Sequence, residues 1–339
     1  MRIGLAGAGR IGAGHARTLR GLAGVEEVVV ADADPGRARE VAAAIGARPV
    51  DAVDALFTAD LDGLVVATPT DAHAELVIRA VRAGLPVFVE KPVAADLAGT
   101  IRTLDAVRGS GVPVQVGFQR RFDPGHVAAR DAVQSGRLGW VHTVRSCTFD
   151  PVPPPDEYIP GSGGLFRDCS VHDFDAVRFV TGRDVAEVSA AGANRGSAVF
   201  AESGDVATGS AVLTMDDGTL AVVSATRYNA AGYDVRLEVL GSKDSVVAGL
   251  DDRTPLSPAD TGFRPEGPPH VAFLERFAEA YTAELRAFAA MVASGGPTPC
   301  PPEESLEAFF VAEACDLSRR ERRAVTIEEV RDRAARSRR

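Results

Sequence analysis

Lysine is almost missing from this chain. Of its 37 basic residues only Lys91 and Lys243 carry an ammonium, and arginine supplies the rest. A lysine retained against that bias points to a place that needs a compact, mobile ammonium rather than a planar guanidinium. Cysteine is also scarce. Cys147, Cys169, Cys300 and Cys315 form no Cys-x-x-Cys pair and match no zinc spacing. The expectation is four reduced thiols in a cytoplasmic protein without a metal site. Long apolar runs are absent: no window reaches the roughly 18 residues of a membrane span. Met1–Leu5 runs straight into a folded motif, so no leader peptide is expected. Excess positive charge is missing too. A net charge of −10 excludes a broad basic surface for nucleic acid. The one basic cluster, Arg331, Arg333, Arg336, Arg338 and Arg339, reads as a solvated helix end.

What remains is ordinary globular material. The 339 residues are 45% apolar and 25% charged, enough for two domains with a large core and without internal repeats. Up to about residue 119, apolar runs alternate with helical patterns. Strands are expected at 2–6, 27–31, 63–67, 86–89 and 112–116, with helices over 10–20, 34–45, 71–82 and 96–108. Apolar runs without alternation indicate a parallel sheet covered on both faces. After residue 119 the pattern changes. Helices are expected over 124–135, 170–181, 270–293 and 302–319. Strands are expected at 141–148, 206–215, 220–228 and 233–240, with Asp216-Asp217-Gly218 as a hairpin turn. The expected fold is α/β, with a Rossmann-type parallel sheet over 1–119. An α+β domain on an open, mainly antiparallel sheet follows over 120–339. The stretch 250–269, rich in Pro, Gly and Asp, reads as a long loop.

The first strand runs into Gly7-Ala8-Gly9-Arg10-Ile11-Gly12, a Gly-x-Gly-x-x-Gly loop that opens the first helix. In that setting Gly7 permits the tight turn, Gly9 admits a pyrophosphate and Gly12 lets the helix pack on the strand. The helix N-terminus supplies N–H groups for the phosphates. Asp32 ends the second strand, where a carboxylate accepts from an adenosine ribose and repels a 2′-phosphate. NAD is therefore expected over NADP. Asp32 could instead cap a turn, and Arg37 could swing back to offset its charge. Thr68 and Pro69 end another strand at the same carboxyl edge. His73, just beyond, is either a cofactor contact or a satisfied histidine. Glu90 and Lys91 reach that edge too, ahead of a Pro92 whose amide is open to being cis.

These motifs, followed by Gly117-Phe118-Gln119-Arg120-Arg121-Phe122-Asp123 and then Asp168-x-x-x-His172-Asp173, resemble the Gfo/Idh/MocA oxidoreductases. Within that family the chain is most similar to the inositol 2-dehydrogenases. The resemblance spans nearly the whole chain. It implies a catalytic set of Lys91, Asp168 and His172, and a homotetramer or homodimer formed through the C-terminal sheet. It further implies that Arg120, Asp150 and Tyr233 contact a cyclic polyol or sugar. Thr148 and Asp150 stand where those enzymes carry a His and an Asn, so the polyol class is firmer than the polyol. Dehydrogenases of aldoses, deoxysugars or anhydrosugars, and non-catalytic dinucleotide-binding sensors, are the alternatives. The chemistry agrees with the set. A secondary alcohol losing hydride needs a proton acceptor, and imidazole titrates near neutral pH. Asp168 and His172, four apart on a helix, share a face. A lysine ammonium stabilises a developing alkoxide. The competing expectation is a Ser170–Asp173 capping box with both acids at a helix start. Cys169 is expected to pack rather than react. Arg121 is either a polyol contact or a salt bridge between domains.

Overall fold

The structure, a computed structural model, describes residues 1–259, 262 and 265–336. The chain forms two compact units. One comprises Met1–Gln119 and Glu279–Leu306, the other Arg120–Ala278 and the chain from Glu307. The break at 119/120 is where composition changes, but the expected second domain over 120–339 is not continuous: residues 279–306 return to the first unit.

The first unit contains strands β1 (Arg2–Ala6), β2 (Glu27–Ala31), β3 (Arg48–Pro49), β4 (Gly63–Val66), β5 (Val87–Glu90) and β6 (Val114–Gly117). All pair in parallel in the order β3-β2-β1-β4-β5-β6. The order reverses at β1, so its carboxyl end is the crevice where open α/β sheets bind ligands. The connecting helices are α1 (Arg10–Gly21), α2 (Pro35–Ile45), α3 (Thr70–Arg82) and α4 (Leu97–Ser110). Asp34 caps α2 by accepting from Gly36 N, with Pro35 at the first helical position, as the sequence predicts.

The second unit is built on β7 (Val141–Phe149), β8 (Val185–Ala193), β9 (Thr208–Met215), β10 (Leu220–Thr226), β11 (Asp234–Gly241), β12 (Ser245–Ala248) and β13 (Val325–Thr326). Their order is β12-β11-β7-β10-β9-β8-β13. Every neighbour is antiparallel except β7 and β10, which are parallel at the centre of the sheet. The hairpin at Asp216–Gly218 is present between β9 and β10. Strand β8 escaped the sequence reading because Val185–Ala193 is mostly small residues without a steady alternation of burial. Strands β9 and β10 bury Ala211, Leu213, Ala221 and Val223 on one face. On the other face Val212, Leu220 and Val222 remain 42%, 46% and 38% exposed. Helices α5 (Pro124–Gln134), α6 (Val171–Thr181), α7 (Val199–Glu202) and α8 (Phe273–Arg276) belong to this unit.

The helix expected over 270–293 is broken. Phe277 separates α8 from α9 (Ala278–Ser294). Leu285, Phe288 and Met291 of α9 join Ile3, Leu5 and Phe88 in the core of the parallel sheet, which is why the chain returns there. Helix α10 (Pro302–Glu321) and α11 (Ile327–Arg336) close the chain. In α11, Arg331 pairs with Glu307 and Arg333 with Glu329, while Arg338 and Arg339 lie outside the described residues. Within the expected loop at 250–269, residues 260, 261, 263 and 264 also lie outside them. The described remainder has no helix or strand.

Candidate active site

The candidate residues fall in both units. In the first, the fold requires two of the three glycines, Gly7 and Gly12. Gly7 has φ +98°, and a Cβ there would lie 2.4 Å from the Ala67 carbonyl oxygen. At Gly12 a Cβ would stand 2.0 Å from the Gly7 carbonyl oxygen, so the helix reaches this depth only without one. A Cβ at Gly9 would meet nothing within 4 Å, which leaves the N-terminus of α1 open to an approaching group. Gly9 is also the N-cap, and no side chain caps α1. The Thr68 Oγ1 hydroxyl at the end of β4 is buried without a hydrogen-bond partner. An open glycine loop, an uncapped helix start and an orphaned hydroxyl together fit a dinucleotide.

Asp32 caps a turn, one of its two expected roles. Its Oδ2 accepts from Ala8 N at 2.6 Å, fixing the glycine loop, and its Oδ1 accepts from Asp34 N at 2.9 Å. Arg37 does swing back, with Nη1 3.4 Å from Asp32 Oδ1, while half its side chain stays exposed. His73 is buried, its Nδ1 and Nε2 each 2.8 Å from a carbonyl oxygen, those of Pro92 and Thr68. Both ring nitrogens are engaged by main chain, which is the satisfied-histidine alternative and ties two loops together. The peptide bond Lys91–Pro92 is cis. On the other side of Lys91, Glu90 Oε1 accepts from His15 Nε2 at 2.7 Å. Glu90 is thus turned toward α1, and the expected cofactor contact is again a framework bond. Lys91, half-buried, is carried between these two anchors.

In the second unit the start of α6 is not a capping box. Ser170 has helical φ and ψ, and its hydroxyl caps nothing. A π-helical turn over Phe166–Ser170 precedes α6 and carries Asp168, so Asp168 and His172 straddle a π-to-α junction. Such single turns mark positions where a helix is re-aimed. Asp173 faces inward: its Oδ1 accepts from Arg120 Nη1 at 2.8 Å and Ser146 Oγ at 2.6 Å, and its Oδ2 from Thr148 Oγ1 at 2.8 Å. Arg120 also donates to Thr148 and is 1% exposed, so this expected polyol contact lies inside the fold. Its ion pair with Asp173 is completely buried; burial lowers the Arg120 pKa, but the charge and hydrogen bond of Asp173 together with neighbouring groups more than offset it and raise the pKa. Arg121 pairs with Asp175 at 2.7 Å within this unit.

Asp168 and Asp150 face one cation. Arg227 Nη1 donates to Asp150 Oδ2 at 2.9 Å and Nη2 to Asp168 Oδ2 at 2.5 Å. Tyr158, from the Pro-rich loop, donates to Asp168 Oδ1 at 3.0 Å. The two acids keep 21% and 15% of their side-chain surface exposed, so they stay open to a hydroxyl-rich ligand. Tyr233 precedes β11 and is 6% exposed, and burial pushes its phenol well above the ordinary range. Burial does the same to the Cys169 thiol, which leaves no thiolate for nucleophilic work.

Comparison with known proteins settles the family. Residues 1–118 match the oxidoreductase family with NAD-binding Rossmann fold, and residues 126–247 match the GFO/IDH/MocA C-terminal domain. The chain belongs to the GFO/IDH/MocA oxidoreductases. It is 39% identical over 331 residues to the inositol 2-dehydrogenase of Rhizobium meliloti, covering 96% of this chain and 99% of that one. To the myo-inositol 2-dehydrogenase of Thermotoga maritima it is 35% identical, covering 97% and 99%. The crystal structure of a putative myo-inositol dehydrogenase from Sinorhizobium meliloti 1021 superposes with a TM-score of 0.89 at 38% identity, over 96% of this chain and 99% of that one. This GFO/IDH/MocA member is therefore an inositol dehydrogenase-like, NAD-dependent oxidoreductase acting on CH–OH groups.

The sequence reading missed three residues that the family member's framework depends on. Arg227 continues the buried parity of Ala221, Val223 and Ala225, and a cation on an inward register predicts acidic partners. His15 lies on the buried stripe of Gly12, Ala16 and Leu19. Glu284 lies on the buried face of α9 with Leu285 and Phe288.

Proposed function

We propose that this enzyme oxidises a secondary hydroxyl of a cyclic polyol, myo-inositol or a related inositol, at C2, with NAD as hydride acceptor. The observation that carries the reading is the near full-length similarity to inositol dehydrogenases together with the retained Lys91, Asp168 and His172. NAD supplies hydride acceptance when bound. Gly7, Ala8, Gly9, Arg10, Ile11, Gly12, Asp32, Thr68 and Pro69 hold it. The ammonium of Lys91 donates to the reacting oxygen and stabilises the alkoxide. The imidazole of His172 takes the hydroxyl proton. Asp168, fixed by Arg227 and Tyr158, accepts from a neighbouring substrate hydroxyl or orients the imidazole, and Asp150 accepts from another hydroxyl. Tyr233 completes the polyol wall. The exposed apolar face around Val212, Leu220 and Val222 supports a homodimer or homotetramer through the second sheet. Four free cysteines support a cytoplasmic protein, and among the described residues no helix is long and apolar enough to cross a membrane.

The test is NADH formation across a panel of inositols, aldoses and deoxysugars, with wild type and His172→Ala. Turnover on an inositol is expected, with His172→Ala lowering kcat by about 100- to 10,000-fold while NAD still binds. Wild-type turnover in that variant rejects the proton acceptor. Activity confined to aldoses rejects the inositol, and bound NAD with no turnover on any substrate rejects the enzyme.

A further inference from the structure

Behind the strand end that carries Lys91 sits a cluster that the proposed chemistry does not use. Glu90 on β5, His15 on α1 and Glu284 on α9 are all buried, and one nitrogen or oxygen from each lies within 4.8 Å of the others. His15 donates to Glu90, but both carboxyl oxygens of Glu284 are buried without a hydrogen-bond partner. Two carboxylates this close in an apolar pocket cannot both stay ionised beside a single imidazole, because water is excluded and their fields add. The pocket wall is otherwise aromatic. Phe88 meets the His15 ring edge-on at 5.4 Å, Tyr281 lies tilted against it at 5.9 Å, and Phe88 also meets Phe288. Glu90 leans over Gly117 of β6, where a Cβ would lie 3.2 Å from Glu90 Oε2, so the bare glycine leaves room for the carboxyl.

We propose that Glu284 is held as a neutral carboxylic acid facing the Glu90–His15 pair. This cluster positions the strand end bearing Lys91 against the helix that opens at the glycine loop. Glu284 is a positioning residue, not a catalytic one: it acts on Glu90, whose main chain leads directly into Lys91. Burial and the nearby Glu90 both push the Glu284 carboxyl well above the usual range, which agrees with the geometry. The titratable groups facing it are Glu90 from β5 and His15 from α1, with Tyr281 of its own helix behind the imidazole. From β6 the neutral Gln115 amide donates to the Glu284 main-chain carbonyl at 2.9 Å. The kinetic consequence rests on the reading of Lys91 given above, whereas the protonation state does not.

The experiment uses the full chain with Glu284→Gln and Glu284→Leu. The infrared spectrum of the wild type at neutral pH should contain a protonated-carboxyl band that Glu284→Gln lacks. Because the folded acid holds its proton to higher pH than the unfolded chain, wild-type stability falls as pH rises. The folding constant of Glu284→Gln relative to wild type should grow roughly tenfold per pH unit above about pH 4.5, until the folded acid ionises. Glu284→Leu should lower kcat by roughly tenfold with little change in KM for NAD, and Glu284→Gln should restore it. A missing band, or a Gln–wild-type difference independent of pH, overturns the neutral acid. So does a stoichiometric divalent metal in the purified enzyme that Glu284→Gln loses. An unchanged kcat in a folded Glu284→Leu overturns the positioning role. If the enzyme turns over no inositol, the spectrum and the pH dependence still decide the acid, separately from the substrate.

Discussion

Arg227 Nη2 stands 2.5 Å from Asp168 Oδ2, and the same guanidinium reaches Asp150 at 2.9 Å. A single buried cation, 6% exposed in its side chain, therefore fixes the two acids to which the proposed function gives the substrate hydroxyls. Burial lowers the Arg227 pKa, but the surrounding groups, Cys169, Asp168 and Asp150, together more than offset it and raise the pKa.

Removing that cation should damage both stability and turnover. Arg227→Met takes the shared cation away from two partly buried carboxylates, a loss of about 3 kcal/mol by analogy with broken buried pairs. Thermal unfolding should register it. The KM for the polyol should rise and kcat fall, while the affinity for NAD stays as in wild type. A variant with normal KM and kcat would show that the two acids do not meet the substrate.

The glycine loop separates folding from binding. A methyl at Gly9 meets nothing, so Gly9→Ala should melt within about 1 kcal/mol of wild type, yet obstruct the pyrophosphate and weaken NAD binding at least tenfold. Gly12→Ala collides with the Gly7 carbonyl and should cost about 1–3 kcal/mol of stability as well. Calorimetry of both variants with and without NAD checks this. Equal effects on folding in the two would refute it.

Cofactor choice should turn on Asp32, with Arg37 already beside it. Wild type should prefer NAD. Asp32→Ser removes a like-charge repulsion of several kcal/mol toward a 2′-phosphate, so the ratio of kcat/KM for NADP over NAD should rise by about 100-fold or more. Asp32→Ser with Arg37→Ala should lose most of that gain. An unchanged ratio in Asp32→Ser removes Asp32 from cofactor discrimination.

Acid stability should depend on Asp123 and His126. Asp123 Oδ2 accepts from His126 Nδ1 at 2.7 Å, and its Oδ1 accepts from Arg276 at 2.9 Å. These hydrogen bonds and charges hold the Asp123 carboxyl well below the ordinary range despite burial. Burial lowers the His126 pKa in spite of Asp123. Both folded values lie below the unfolded ones, so each group contributes stability above its unfolded pKa and loses it as pH falls. The stability curve should decline below about pH 6.5 as His126 is pulled toward its charged form, and again below about pH 4 through Asp123. His126→Phe should remove the first decline. Its persistence in that variant would assign it elsewhere.

The sequence by itself determined most elements of the first sheet and the chemistry of the glycine loop. Largely apolar runs marked β1, β2, β4, β5 and β6, because a strand covered on both faces shows no regular polar alternation. The spacing of Gly7, Gly9 and Gly12 and the position of Asp32 followed from local backbone geometry, so they were legible without a fold. Pairing over distance was not. The parallel contact of β7 with β10, the return of α9 to the first sheet and the division of Glu90 from Lys91 by function were decided only by tertiary packing. Arg120 and Arg227 show why. Each is a cation in a polar setting by sequence, yet one is sealed against Asp173 and the other braces Asp168. What separates them is which carboxylate, 53 or 59 residues away along the chain, the fold brings within 3 Å.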